Sequence, residues 1–402
     1  MQNIDNTEYI ELLKKAEKSV MYVTNRPEII FTKGEGSYLW DSNGNKYLDM
    51  IAGWAVCCLG HSSPVMVEAM TQQAKVLINP SPAFYNKPAI EFASLLTEIS
   101  CMDKVFFINS GAEANEGAIK LARKYGQKYL NGAYEIITTW NSFHGRTLAM
   151  MAASGKKKWE NLFEPKPKGF KRVNYNDIED LKQAISKDTC AFMLELVQGE
   201  GGVVAADKTY IKQVRELCDK NNILLIVDEV QTGLGRLGHM FAYESYGIEP
   251  DIMTLAKGIG GGFPLSATLA KDKVCCFEAG DQGGTYCSTP LATAVGKAVV
   301  DEIIKSDLCN NAKLVGEYFI GQLNKLKEKY SFIKEIRGSG LLLAIGLHKE
   351  VANQIKDECM NKFLLVNAPN DSTIRFMPPL NISNTEVDET ISILDEICSH
   401  IS

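Results

Sequence analysis

Between residues 64 and 300 short apolar runs alternate with amphipathic stretches, and this alternation constrains the fold more than any other feature. The order is KVFFIN, EANEGAIKLARKYG, EIITTW, CAFMLELV, YIKQVRELCDKNN and ILLIVDEV. Runs this rich in Val, Ile, Leu and Phe read as strands buried on both faces, and the stretches between them read as the covering helices. The predicted class is α/β: a large domain with a mainly parallel sheet flanked by helices. Ahead of it, 9–18 has helical spacing, and FTKGEGSYLWDSNGNKYLDM, with its Gly and Asn-Gly turns, predicts a small antiparallel sheet. After Pro290 a long helical stretch runs toward Lys329. EIRGSGLLLAIGL and IRFMPPL then read as strands separated by a helix, and a last helix starts at Thr385. The 402 residues thus divide into an N-terminal segment, 1–63, a large α/β domain, 64–300, and a C-terminal α+β region, 301–402. The two ends together make the smaller domain.

Composition removes several function classes. Lys and Arg total 43 against 49 Asp and Glu, a net charge of −6 that offers no global attraction for nucleic acid or an anionic membrane. The run ILLIV has five residues, where a membrane span needs about 18. The start, MQNIDNTEYIELLKKAEK, lacks the apolar stretch of a secretion signal, so a cytoplasmic protein is expected. Eleven cysteines, with Cys57 beside Cys58 and Cys275 beside Cys276, suit neither a disulfide framework nor a zinc site. The five histidines lack HExxH spacing, so no metal is expected.

Three local patterns carry chemistry. NSGAEANEG follows the strand KVFFI and opens a helix, where free N–H groups and the positive dipole end suit a phosphate. Ser110 and Gly111 are therefore candidate phosphate ligands, although a plain N-cap accounts for Ser110 equally well. Asp228 ends ILLIVD, the strand end at which open α/β sheets place ligand-binding groups. It could pair with a cationic ring nitrogen, bind a metal, orient another side chain or be a satisfied loop-start Asp, and Gln231 lies close by. Lys257 ends an apolar stretch and precedes a glycine run, DIMTLAKGIGGGFPLS, which suits either a Schiff-base former or a snorkelling surface lysine.

Two further patterns are set aside. GLGRLG, 233–238, has GxGxxG spacing but lies late in the sheet and away from a strand-to-helix turn, so it is not read as a dinucleotide site. The basic stretch GKKKWENLFEPKPKGFKR reads as a solvated loop rather than a nucleic-acid patch.

Taken together these segments resemble the class III, fold type I, pyridoxal-phosphate-dependent aminotransferases. The resemblance runs through FTKGEGSYLWDSNGNKYLD, LGHSSP, NSGAEANEGAIKLARKYG, SFHGRT, QGEGGV, LLIVDEVQTGLGRLGHMFAYESYGIEPDIMTLAKGIGGGFP, GTY, IRGSGLLLAIGL and IRFMPPL. It implies pyridoxal 5′-phosphate as cofactor, Lys257 as the Schiff-base lysine and proton shuttle, and Asp228 on the pyridine nitrogen. Gln231 would hold the ring hydroxyl, Phe143 would stack on the ring, and Ser110, Gly111 and Ala112 would form the phosphate loop. Thr285 would be donated across the interface of a homodimer with shared active sites.

For substrates the resemblance implies Arg146 and Arg375 as carboxylate-binding arginines. Glu200 would neutralise Arg375 while the donor is bound and release it for 2-oxoglutarate. The implied donor is acetylornithine, within a ping-pong reaction of arginine biosynthesis; ornithine, 4-aminobutyrate, succinyl-diaminopimelate and other terminal amines are the alternatives. A non-catalytic cofactor-binding regulator is a more distant one. The sequence departs from the family at Ala112, where Thr is usual, at Leu196 for Pro, and at Cys287, Ser288 and Thr289 for Gly-Gly-Asn. Trp54 replaces a small aliphatic residue at the substrate entrance.

Overall fold

The computed structural model describes residues 6–401. Its largest sheet has seven strands in the order Lys104–Ile108, Ser266–Ala270, Ile252–Leu255, Leu224–Asp228, Thr189–Leu194, Glu135–Thr139 and Phe170–Val173. Ser266–Ala270 runs antiparallel to both neighbours, and every other pairing is parallel. The sheet is therefore mixed but mainly parallel. The central strands Leu224–Asp228 and Thr189–Leu194 are buried at every position, which is why they read as unbroken apolar runs.

One consequence of this topology places the site. A single antiparallel strand between Lys104–Ile108 and Ile252–Leu255 leaves those two pointing the same way, along with Leu224–Asp228. Residues that follow all three strands therefore emerge at one sheet edge, as open α/β sheets require of a ligand site.

At the N-terminus the strands Phe31–Glu35, Tyr38–Asp41 and Lys46–Asp49 pair antiparallel. Asp41 Oδ1 accepts from the N–H groups of Asn43 and Asn45 and shapes the Asn-Gly turn. A fourth strand, Leu364–Leu365, joins this sheet from the far end of the chain. The C-terminal sheet holds Ile333–Ser339, Leu342–Leu347, Thr373–Phe376 and Asn367–Asn370.

EIRGSGLLLAIGL is thus two antiparallel strands and not one. Gly338, at φ +109°, lies where a Cβ would overlap the Leu342 carbonyl oxygen, so only glycine permits the tight reversal. The helical stretch after Pro290 also divides, into Pro290–Lys305 and Leu308–Lys329, around Asp307 at φ +49°. Residue 300, the boundary expected between large and small parts, falls inside the first of these helices. That helix packs on Pro64–Ala74 and Lys87–Glu98, with Gly296 set where a Cβ would overlap Leu265 and meet Phe92.

Candidate active site

Three strand exits build a cavity of about 300 Å³. Ser110 and Gly111 follow Lys104–Ile108, Asp228 ends its own strand, and Lys257 follows Ile252–Leu255; all four line this cavity with Ala112, Phe143, Glu200 and Gln231. Ser110 is the N-cap of the helix Gly111–Tyr129: its Oγ accepts from Glu113 N at 3.3 Å and donates to the Glu113 carboxylate at 2.9 Å. The N–H groups of a first helical turn have no intrahelical acceptor, so the Gly111–Ala112 backbone still presents donors to the cavity. A Cβ on Gly111 would press on Val230 at 3.0 Å, and glycine lets the helix start sit that close to the Asp228 loop.

Asp228 is buried in a closed hydrogen-bond set. Its Oδ2 accepts from Asn115 Nδ2 at 2.8 Å and stands 2.8 Å from His144 Nδ1, while Oδ1 accepts from Val230 N at 3.0 Å. Asn115 is itself fixed, accepting from Thr254 Oγ1 at 2.7 Å and donating to the His144 carbonyl at 2.8 Å. Burial opposes charge on His144, but the Asp228 carboxylate outweighs it and raises the imidazole pKa above its ordinary value. Glu195, buried next to this group and lining the cavity, has its carboxyl pushed up to about 7 by burial and takes the Phe143 N–H at 2.8 Å.

Lys257 begins a short 3-10 turn, Lys257–Gly260, at φ +50°. Burial, then the nearby Arg375, bring its amine down to about 8, against the pull of Glu200, Asp228 and Glu195. A lysine so placed releases its proton more readily than an exposed one, as a nucleophilic amine must.

Glu200 also lines the cavity, and Arg375 lies behind it. Arg375 is wholly buried and donates to Glu200 Oε1 at 2.6 Å, to Gln231 Oε1 at 3.2 Å and to Asn367 Oδ1 at 3.0 Å. Burial pushes the Glu200 carboxyl up, but Arg375, with Lys156 and Lys257 behind it, holds it down at about 2. A Cβ on Gly199 would overlap Gln231 Oε1, so that glycine allows Gln231 to lie against Arg375. Gln231 Nε2 is buried with no protein partner, an orphan donor at the cavity wall.

Three expected residues lie elsewhere. Arg146 is exposed outside the cavity, its guanidinium 5.8 Å from the Phe143 ring and 5.4 Å from the Trp159 ring. Trp54 is 55% exposed at φ +62° and lines a separate cavity of about 610 Å³ beside Asn367 and Met360. Thr285 is exposed on a loop held by Asn79, which donates to its carbonyl at 3.2 Å.

Sequence reasoning missed Asn115, Glu195, Lys156 and Asn367, and gave His144 no partner. NSGAEANEG does hold a clue, because Asn115 sits one helical turn inside the helix start, on the strand-facing side. The supposed solvated loop turns two lysines inward: Lys166 Nζ donates to the carbonyls of Trp159, Glu160 and Leu162, and Lys156 stands 3.5 Å from Glu200 Oε2. GLGRLG packs under the C-terminal sheet, where Arg236 donates to the carbonyls of Leu341 and Pro378. Glu229, next to Asp228, is a structural carboxyl that accepts from Ala242 N, Tyr243 N and Thr232 Oγ1.

Residues 21–398 match the family described as aminotransferase class-III. The chain belongs to the class III aminotransferases. Similar proteins include the acetylornithine aminotransferase of Ralstonia nicotianae, 53% identical over 94% of this aminotransferase and 96% of the relative. The acetylornithine aminotransferase of Methanocaldococcus jannaschii is 46% identical over 98% of both chains. Among solved structures, ornithine aminotransferase from Toxoplasma gondii superposes with a TM-score of 0.93 at 31% identity, covering 98% of this chain and 95% of that one. The acetylornithine aminotransferase of Elizabethkingia anophelis gives 0.86 at 32%, covering 97% and 99%.

This aminotransferase accordingly has the fold type I architecture and uses pyridoxal 5′-phosphate. Its cavity suits that group: helix-start donors for a phosphate, an aromatic wall at Phe143, a fixed carboxylate at Asp228, an orphan amide at Gln231 and a readily deprotonated lysine. Its substrates are an amino donor and a keto acid. Among the described residues no helix is long and apolar enough to cross a membrane.

Proposed function

We propose that this aminotransferase moves the terminal amino group of acetylornithine to 2-oxoglutarate, as a homodimer in the cytoplasm. The observation that carries the reading is the Glu200–Arg375 pair: Glu200 lines the cavity together with Lys257 and covers the buried Arg375. A buried arginine left unpaired is costly, and a movable carboxylate lets one site serve a donor that leaves Arg375 covered and a dicarboxylate that needs it open. The donor's identity rests on the relatives, whose names at 43–53% identity are acetylornithine aminotransferase.

In this reading the cofactor, when bound, supplies an electron sink for the negative charge left on the substrate carbon. Lys257 Nζ would take the proton from the donor's amine-bearing carbon and deliver it to the cofactor carbon on the other side of the amine nitrogen. Asp228, oriented by Asn115 and His144, would pair with the ring nitrogen, Phe143 would cover the ring and Gln231 Nε2 would meet its hydroxyl. Ser110, Gly111 and Ala112 would hold the phosphate. Arg146, on the cavity's outer side, takes the acceptor's second carboxylate, and Arg375 takes the first.

The dimer is supported by an exposed apolar surface around Thr285. Val76, Ile78, Phe84, Tyr85 and Tyr286 are all exposed, Tyr85 at 95%, which is unusual for a surface facing water. A second copy seated there would bring Thr285 to its partner's phosphate site. All eleven cysteines are free, as suits a reducing compartment.

The test is a half-reaction screen. Cofactor absorbance is followed in the purified holoenzyme as acetylornithine, ornithine, 4-aminobutyrate and succinyl-diaminopimelate are added in turn. Rapid conversion by acetylornithine, reversal by 2-oxoglutarate and loss of both in Lys257→Ala are expected. Preferential conversion by another amine overturns the donor and leaves the mechanism standing.

A further inference from the structure

We propose that Lys156 is a positioning residue: it receives Glu200 when an acceptor carboxylate displaces it from Arg375. This rests on the acceptor reading above. The two cations engage different oxygens of one carboxylate, Arg375 on Oε1 at 2.6 Å and Lys156 on Oε2 at 3.5 Å. Glu200 therefore leaves Arg375 by rotating toward a partner already beside it.

Lys156 is held in place. The preceding Gly155 packs so tightly on the end of Glu135–Thr139 that a Cβ would overlap the Thr139 carbonyl oxygen, and its N–H donates to Ser142 Oγ at 3.0 Å. On the other side the Lys156 carbonyl accepts from Trp159 N at 2.9 Å. The ammonium stands 5.1 Å from the Phe143 ring and 5.6 Å from the Trp159 ring, and its side chain is 18% exposed. Such a lysine is not a snorkelling surface group.

The physical need is specific. Glu200 faces three cations, Arg375, Lys156 and Lys257, while Lys156 faces Glu200, Glu195 and Lys158. Once a substrate carboxylate occupies Arg375 and Lys257 is engaged in the reaction, only Lys156 remains to pair the displaced carboxylate. A half-buried carboxylate without a counter-charge resists displacement, so the acceptor would bind weakly without this lysine. The donor half-reaction keeps Glu200 on Arg375 and makes no such demand.

The test is calorimetric titration of the holoenzyme with glutarate, a non-reacting dicarboxylate, in Lys156→Gln, Glu200→Gln and the double variant, with Lys156→Arg as the charge-retaining control. Glu200→Gln uncovers Arg375 and should bind glutarate more tightly than the wild type. Lys156→Gln should weaken glutarate about tenfold, roughly the loss of one partly buried charge partner, and less than about twofold when Glu200 is already Gln. Lys156→Arg should stay within about twofold of wild type. In kinetics, Lys156→Gln should raise KM for 2-oxoglutarate far more than KM for the donor.

Equal weakening in both Glu200 backgrounds means that Lys156 touches the dicarboxylate directly and overturns the proposal. No weakening in either background also overturns it, while the Glu200–Arg375 reading survives. If Glu200→Gln fails to tighten glutarate, that reading falls and takes the role of Lys156 with it.

Discussion

The two ends of the cavity are built on different principles. Around Asp228 the side chains are enclosed and hold one another: Asn115, His144 and the Val230 N–H contact the two carboxylate oxygens, Thr254 fixes Asn115, and His144 Nε2 is left without a protein partner. Around Glu200 the groups are charged, partly open and multiply partnered: one carboxylate between Arg375 and Lys156, and one arginine shared by Glu200, Gln231 and Asn367. A buried network whose groups have no alternative partners holds a single geometry, whereas charge pairs with alternative partners support two states of similar energy. The first arrangement suits a cofactor that stays, and the second suits two substrates that alternate.

The contrast is open to attack at the residue that joins the two ends. Gly199→Ala would force Gln231 off Arg375 and disturb both at once, so kcat/KM for the acceptor should fall about a hundredfold, as misplacement by an ångström does. Near-normal acceptor kinetics in that variant would show that Gln231 bridges nothing. Asn115→Ala, confined to the cofactor end, should weaken cofactor retention about tenfold and lower stability by about 1–3 kcal/mol, through the partners it strands. Relative preference among acceptors should stay as it was; dialysis followed by absorbance, with a melting curve, reads both quantities.

Acid and neutral pH should separate two carboxyls of opposite kind. Glu200 titrates at about 2 in the folded chain, below its ordinary 4.5, so its stabilisation is present above 4.5 and lost as pH falls toward 2. Glu229, buried and pushed up to about 7, holds its proton in the folded state, so its contribution runs the other way and is lost as pH rises from 4.5 to 7. Melting temperatures from pH 3 to 8 should therefore show a shallower acid limb in Glu200→Gln, with the limb toward pH 7 unchanged. The smallest effect belongs to Ser110→Ala, which removes an N-cap worth about 1 kcal/mol. A far larger loss of cofactor affinity than of stability would mark its hydroxyl as a phosphate ligand.

Much of the cofactor end was legible because it is local. Ser110, Asp228 and Lys257 each stand where a buried strand gives way to a turn, and strand, turn and glycine signals span only a few residues. The substrate end was not legible in that way. Lys156 looked like one of several surface lysines in a basic loop, and nothing nearby in sequence sets it apart from Lys157 or Lys158, which are exposed. EIRGSGLLLAIGL did carry its turn in the Gly338-Ser339-Gly340 signal, which is easily passed over because the apolar run from Leu341 dominates the segment.

The chain by itself determined where strands end, which glycines clear space, and a family resemblance carried by motifs along nearly its whole length. Only the tertiary structure decided which charges meet. Asn115 and Asp228 lie 113 residues apart, and Glu200 and Arg375 lie 175 apart. The first pairing follows from how the helix Gly111–Tyr129 packs on the large sheet, the second from how the small C-terminal sheet brings Arg375 to Glu200; burial lowers the proton affinity of Lys257, and Arg375 lowers that of Glu200. Both depend on solvent exclusion and on distances between remote segments, which no local pattern encodes.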